Sequence, residues 1–563
     1  MDNLTAAGPL PAAPSSVAAF PLTPSSDDHS GPWGISAADA ADVQGLAVSP
    51  FAHLQHGLAV FLQLSQGGGA WLQALLDAHL LLAPAETGPG SAAGPFDGGD
   101  GGGRPSFAGS AFITPAAGRT EPCAAVALAW SGLHQMGLPG PALDTFSAPF
   151  REGMTNISRR RRLGDKGDAL YQGVMRWSGN VAPLRQALSA PSQRAAPSEA
   201  AAEEGPVETK DTVHALLLLY DRTASALEAR AAQVLALLAP HGAAPVFTLP
   251  LTLKPFGHGS DIPREHFGFA DGFSQPLPEW DEMRRDELHG VPVGEVLMGH
   301  TDAHGDPAPG PTVADSPDSR GILSRSGQAA AQASLGRNGS YMVVRQLHQD
   351  VAAFRGSMAK SAAALDDPSI TAEWMAEKVI GRRRDGDLLL PGGSLPAVAG
   401  QPDNNFGYFA KDRYGHGCPI GAHVRRANPR DGLARDESAR DSMRTAANNH
   451  RILRRARKYG EPLPEGAPDD GAGRGLLFMC LQTDIARQFE FIQQTWLLNP
   501  VFGTLMDETD PLLGPAGPFT LPTDPLRRVA QVKTFVRMVG GEYFFLPSLS
   551  ALRYLGTLPE LPA

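Results

Sequence analysis

Cysteine is scarce in this chain of 563 residues: Cys123, Cys418 and Cys480 lie far apart. They form no Cys-x-x-Cys pair and no even-numbered framework, which argues against a zinc ribbon or a disulfide scaffold. Long hydrophobic runs are missing too. No stretch of about 18 apolar residues occurs, so no membrane span is expected. Nor is there a basic stripe. Lys and Arg total 48 against 59 Asp and Glu, a net charge of −11, and nucleic acid is not an expected partner. The first residues, MDNLTAAGPLPAAPSSVAAF, have no basic start leading into an unbroken apolar segment, and no twin-arginine pair follows. Residues 1–41 read as a disordered tail, and the expected location is cytoplasmic.

The chain does have enough apolar residues, 42%, for more than one core. Ordered sequence is expected from Asp42, where VQGLAVSPFAHLQHGLAVFLQL suits first a strand and then, from Phe51, a helix. The Gly-rich stretch from Gly88 to Ser106 and the Ala/Pro/Ser/Glu stretch from Ala190 to Lys210 read as loops. CAAVALAW, VHALLLLYD and APVFTLPLTL read as strands, with a helix before the stop expected at Gly242. After a Pro- and Gly-rich connection, the pattern resumes with GSYMVVRQLHQDVAAFRGSMAK and continues through RGLLFMCLQ, ARQFEFIQQTWLL and GEYFFLP. This order predicts an α+β fold with helices packed on antiparallel sheets. The expected divisions are an N-terminal domain over 42–275, a connection over 276–337 and a C-terminal domain over 338–563.

Three stretches carry chemistry. EHFGFADGFSQP places Asp271 between two glycines and among Phe267, Phe269 and Phe273. A tight turn accounts for such a stretch, and so does an acid held in an apolar pocket. CPIGAHVRRANPRD sets His423 among Arg425, Arg426 and Arg430, and HRILRRARKYG holds a second basic cluster. Each alone also fits a cationic surface segment.

Together, in this order and with RGLLFMCLQ and FIQQTW, these stretches resemble the dye-decolorizing peroxidases, the DyP-type haem peroxidases, and most of all their larger members. The resemblance runs from about Val43 to Leu555. It implies two ferredoxin-like halves and one haem b per chain, bound mainly in the C-terminal half. His423 matches the proximal iron ligand, and Asp510 the carboxylate that takes its other ring N–H, with Asp507 as the alternative. Asp271 matches the distal acid and Arg454 the distal arginine, with Arg455 as the alternative. The separation of His423 and Arg454 implies a loop insertion around Leu433 to Thr445. Leu476 and Phe478, two apart in a strand, share a face and match residues that narrow the distal pocket. His266, Arg425 and Arg426 are candidates for the haem carboxylates. Trp496 matches a position that some relatives use as a surface oxidation site, and is the candidate electron relay; core packing is its other role. The activity implied is reduction of hydrogen peroxide with oxidation of dyes, phenols or similar small donors. A haem-handling, iron-removing enzyme and a non-catalytic haem-binding protein are the alternatives.

Overall fold

Apolar runs such as ALLLLYD have no polar alternation because their strands are buried on both faces. The computed structural model describes residues 35–65, 67–78, 122–165, 176–179, 211–253, 264–279, 288–314, 318, 320–325, 332–391, 404–523 and 526–559. The two loops expected around 88–106 and 190–210 lie outside them. In chain order, the N-terminal half has β1 (His56–Leu64), β2 (Cys123–Ala129), β3 (Ala215–Asp221) and β4 (Ala243–Thr252). Helix α1 (Ala37–Asp42) precedes them, α2 (Ala70–Asp77) follows β1, and α3 (Ala224–Leu238) joins β3 to β4. The C-terminal half has β5 (Ser340–Gln349), α4 (Val351–Ala363), α5 (Ala372–Ile380) and α6 (His423–Ala427). The short β6 (Leu453–Arg454) and β7 (Arg457–Tyr459), then β8 (Gly475–Gln482) and β9 (Val536–Leu546), complete it.

The strands run β5-β8-β7-β4-β1-β3-β2-β9, and β9 pairs back onto β5, so the sheet closes on itself. Two seams join the halves: Lys458 opposite Thr252, and Phe544 and Phe545 opposite Ala129 and Leu128. All these pairings are antiparallel; short parallel strands at Trp177–Ser178 and Asp211–Thr212 make the sheet mixed. One continuous core spans both halves, including Val60 and Leu218 from one and Val343, Leu481 and Phe545 from the other. A second core, built on Phe267, Phe354, Met375 and Phe535, lies beneath the segment that carries Asp271.

Local chemistry sets the ends of the helices. Thr223 caps α3 through the N–H of Ala226, Asp350 caps α4 through Ala353, and Gly242 takes the left-handed conformation (φ 70°) just beyond α3. The loop insertion expected around 433–445 holds a helix, Arg440–Asn448.

Two expectations change. Asp42 does not open the ordered chain: Ile35 is buried, Ser36 caps α1, and Asp39 accepts two bonds from Arg337 at 2.8 Å. The order of elements that follows is also reversed, with helical turns to Val48 and then the strand β1. Tertiary donors explain the reversal. Arg455 donates to the carbonyls of Leu46 and Ala47, and Arg457 to those of Pro50, Phe51 and Leu54. Those carbonyls need no strand partner, whereas HGLAVFLQL is zipped between β3 and β4.

Arg457 is fully buried against the ring of Tyr220, 4.2 Å from its centroid. Arg457→Leu takes the donor from the buried carbonyl of Leu54 and from that of Pro50, while the carbonyl of Phe51 keeps the N–H of Leu54, and is expected to cost about 2 kcal/mol, read as a lower urea midpoint. An unchanged midpoint would mean that apolar contacts alone hold residues 45–55.

Candidate active site

A cavity of about 280 Å³ opens between β5, β8, α5, α6 and the loop after Arg264. Its walls are mostly apolar. Leu476 and Phe478 reach it from β8, while the alternate residues Leu477 and Met479 turn into the core and are fully buried. Both residues therefore line the cavity.

His423 begins α6 and lines the cavity. Its Nδ1 lies 2.9 Å from Oδ2 of Asp510, a carboxylate with no exposure at all. The other oxygen of Asp510 accepts the N–H groups of Leu512 and Leu513, each at 2.9 Å. Both oxygens are thus committed and the imidazole is held in one orientation, with Nε2 left toward the cavity. Burial pushes His423 down, but the charge and hydrogen bond of Asp510 outweigh it and leave the ring above its ordinary value. Asp510 is correspondingly held below the usual carboxylate range: burial opposes this, and His423 and the backbone donors prevail. Asp507, the alternative, is exposed in a left-handed turn (φ 60°).

Asp271 and Arg454 come from another wall. The loop reaches the cavity because Gly268 and Gly272 both adopt φ near 97°, where a side chain would be strained. Arg454 Nη1 donates to Asp271 Oδ1 at 2.9 Å, and Nη2 to the carbonyl of Phe273 at 2.7 Å. The side chains stay 38% and 31% accessible because they face the cavity. Burial alone would raise Asp271. The charge of Arg454 and the N–H of Gly272 outweigh it and hold the carboxyl below its ordinary value. Arg455 points the other way, its donors taken by Leu46, Ala47 and Arg454 carbonyls.

Three residues expected to meet the haem carboxylates do not reach the cavity, and Trp496 takes the core position that was its other expected role. Arg425 is buried over the ring of Tyr408 and donates to the carbonyls of Asp412, Cys418 and Arg413. Arg426 is fully buried and donates to the carbonyls of Trp496, Asn499 and Glu508. His266 turns its Nε2 to the carbonyl of Tyr459 at 2.9 Å, and burial pushes it down to about 4. Trp496 is not at the surface: it is 6% exposed and stands nearly perpendicular to the rings of His450 and Phe491.

Other cations line the cavity instead, among them Arg382, Arg430 and Arg451. Arg382 and Arg430 both reach Asn404 Oδ1, at 3.0 and 2.7 Å, and Arg430 also meets the hydroxyl of Ser274 at 3.1 Å. Arg451 donates to the carbonyl of Ser274. Ser274 (φ 60°) and Arg430 (φ 53°) are both left-handed, so the loop of Asp271 and the segment after His423 meet through two strained residues. The only sequence signal was position: Arg430 closes ANPR and Ser274 stands in FSQP.

Comparison with known proteins gives a consistent result. No family model matches the chain. A multifunctional dye peroxidase of Amycolatopsis sp. is 32% identical over 373 residues, 62% of this chain and 72% of the relative. A dye-decolorizing peroxidase of Mycena epipterygia is 28% identical over 384 residues, just under two thirds (65%) of its own length. Among solved structures, a DyP-type peroxidase of Anabaena sp. superposes with a TM-score of 0.63 at 23% identity, covering 92% of this chain and 95% of the other. A fungal DyP-type peroxidase from Auricularia auricula-judae gives 0.62 at 20% identity, covering 92% and 99%. The chain belongs to the dye-decolorizing peroxidase family.

Proposed function

We propose that this chain is a haem b peroxidase that reduces hydrogen peroxide and oxidises dyes, phenols or similar one-electron donors. The observation that carries this reading is a single apolar cavity that holds a carboxylate-backed imidazole, His423–Asp510, and a separate acid–cation pair, Asp271–Arg454. The residues fit haem. The mostly apolar walls suit a porphyrin face, and Nε2 of His423 is available to iron. Arg382, Arg430 and Arg451 supply cations for its carboxylates. Each half is read as ferredoxin-like. In support, with the short β6 and β7, which both pair with β8, counted as one position, the strand order within a half is fourth-first-third-second in both cases, β4-β1-β3-β2 and β9-β5-β8-β7.

Haem, when bound, supplies the redox-active iron at which peroxide is reduced. His423 would hold it, with Asp510 fixing the ring. Asp271, kept as a carboxylate by Arg454, takes a proton from one peroxide oxygen and returns it to the leaving one. Arg454 offsets the negative charge that develops on the departing oxygen. Leu476 and Phe478 narrow the space, so bulky donors react outside it. Trp496 is too deep to meet a dye and enters only as an internal relay.

Asp510→Ala is expected to weaken haem retention about tenfold or more, measured by haem titration, because the imidazole loses its orienting acceptor. Retention equal to the unaltered protein would leave His423 held by packing alone.

The pH dependence follows from the sign of the Asp271 shift. A lowered value means that the proton-accepting form survives into acid and is lost only as pH falls through that value. The rate of reaction with peroxide should therefore hold as pH falls through the ordinary carboxylate range and decline only in stronger acid. Arg454→Leu removes the lowering charge and should move this decline to higher pH, while Asp271→Asn should abolish it and slow the reaction about 100-fold. A decline that stays in place in Arg454→Leu would assign it to another group.

A further inference from the structure

Glu265 stands six residues before Asp271 on the same loop and lines the same cavity. Its surroundings are the opposite of those of Asp271. Oε1 accepts the N–H of Phe269 at 3.0 Å, and Oε2 accepts that of Phe267 at 2.8 Å. Gln349, at the end of β5, places its amide nitrogen 2.6 Å from Oε2. The charged groups that face it are Asp271 on its own loop and Lys458 on β7, whose ammonium donates to the carbonyl of Arg264 at 2.6 Å. Burial pushes Glu265 up to about 7, with the three donors only partly opposing it.

A 2.6 Å contact is short for an amide donor and ordinary for O–H···O. The other amide atom, Oε1 of Gln349, has no hydrogen-bond partner. Nothing at that end fixes which way the amide faces. With the amide turned over, its oxygen faces Oε2, and a protonated Glu265 donates to it while keeping both backbone bonds.

Peroxide reduction consumes protons: H2O2 + 2 e− + 2 H+ gives 2 H2O. Donors that stay outside the cavity deliver electrons only. Asp271 returns the proton it takes, so it supplies none on balance. A second acid on the cavity wall is placed to supply the protons that are consumed. Resting on the peroxidase reading above, we propose that Glu265 is that acid, a neutral carboxylic acid held by Gln349. It gives its proton to the water being formed as each electron arrives. Solvent then reprotonates it, so it cycles twice per peroxide consumed.

Infrared spectra of the full-length, haem-loaded protein test this without turnover. At about pH 6 the resting protein is expected to show a deuterium-sensitive carbonyl stretch of a protonated carboxylic acid. The band should fade as the pH passes about 7 and be missing in Glu265→Gln, which keeps the size and polarity of the side chain. In the same variant, reaction with peroxide is expected to stay within about threefold, while turnover of a bulky dye falls about tenfold. Glu265→Asp, a shorter acid, should recover part of the loss. No band in the unaltered protein, a band that survives in Glu265→Gln, or undiminished dye turnover would each overturn the assignment. Failure of the peroxidase reading looks different: the unaltered protein would bind haem and leave peroxide unconsumed, whatever its infrared spectrum.

Discussion

The cavity depends on the register of one strand. β8 pairs with β5 on one side and with β6 and β7 on the other. In that register Phe478 stands opposite Arg345, Leu476 opposite Leu347, and Arg454 opposite Cys480. Side chains alternate along a strand, so a slip of one residue would turn Leu476 and Phe478 into the core and bring Leu477 and Met479 to the cavity. The ladder to β5 runs from Tyr341 to His348 without a break, which makes such a slip costly.

Buried arginines perform the second structural task. Arg425, Arg426, Arg455 and Arg457 are all buried, and each donates to backbone carbonyls of loops or of helix ends. A guanidinium has five donors in a rigid plane and can satisfy several carbonyls at once, which offsets the desolvation of its charge. Arg426, three residues after His423 on α6, ties that helix to the segment from Trp496 to Glu508, two residues short of Asp510. The orientation of His423 therefore rests partly on an arginine that never touches the cavity.

Electrostatics separates two acids on a single loop. Asp271 meets Arg454 and is driven down; Glu265 meets an amide and two backbone N–H groups, has no ion pair among the described residues, and is driven up. Such a divergence between neighbouring carboxyls gives one site both a base and an acid near neutral pH. The loop itself is shaped by two glycines at positive φ, and Ser274 joins it to Arg430 on the far side of the cavity.

Much of this was legible in sequence. Continuous apolar runs at Cys123–Ala129 and Ala215–Asp221 determined strands, because a strand buried on both faces has no room for polar alternation, and Gly475–Gln482 is apolar because one face meets the core and the other the apolar cavity. The motifs around Asp271, His423 and Arg454 determined which residue types meet, since turn glycines and short spacings act locally. What sequence could not determine is where long side chains go. Arg425 and Arg454 are both arginines next to a motif residue. One is consumed by carbonyls of Asp412 and Cys418, the other by Asp271, and only the packing of distant segments decides between them. The same holds for residues 43–64, where local propensity suggested strand then helix. Arg455 and Arg457, some 400 residues away, supply the hydrogen bonds that reverse the order. Propensity is worth tenths of a kcal/mol per residue, and buried hydrogen bonds to unpaired carbonyls about one or more each, so the tertiary contacts prevail.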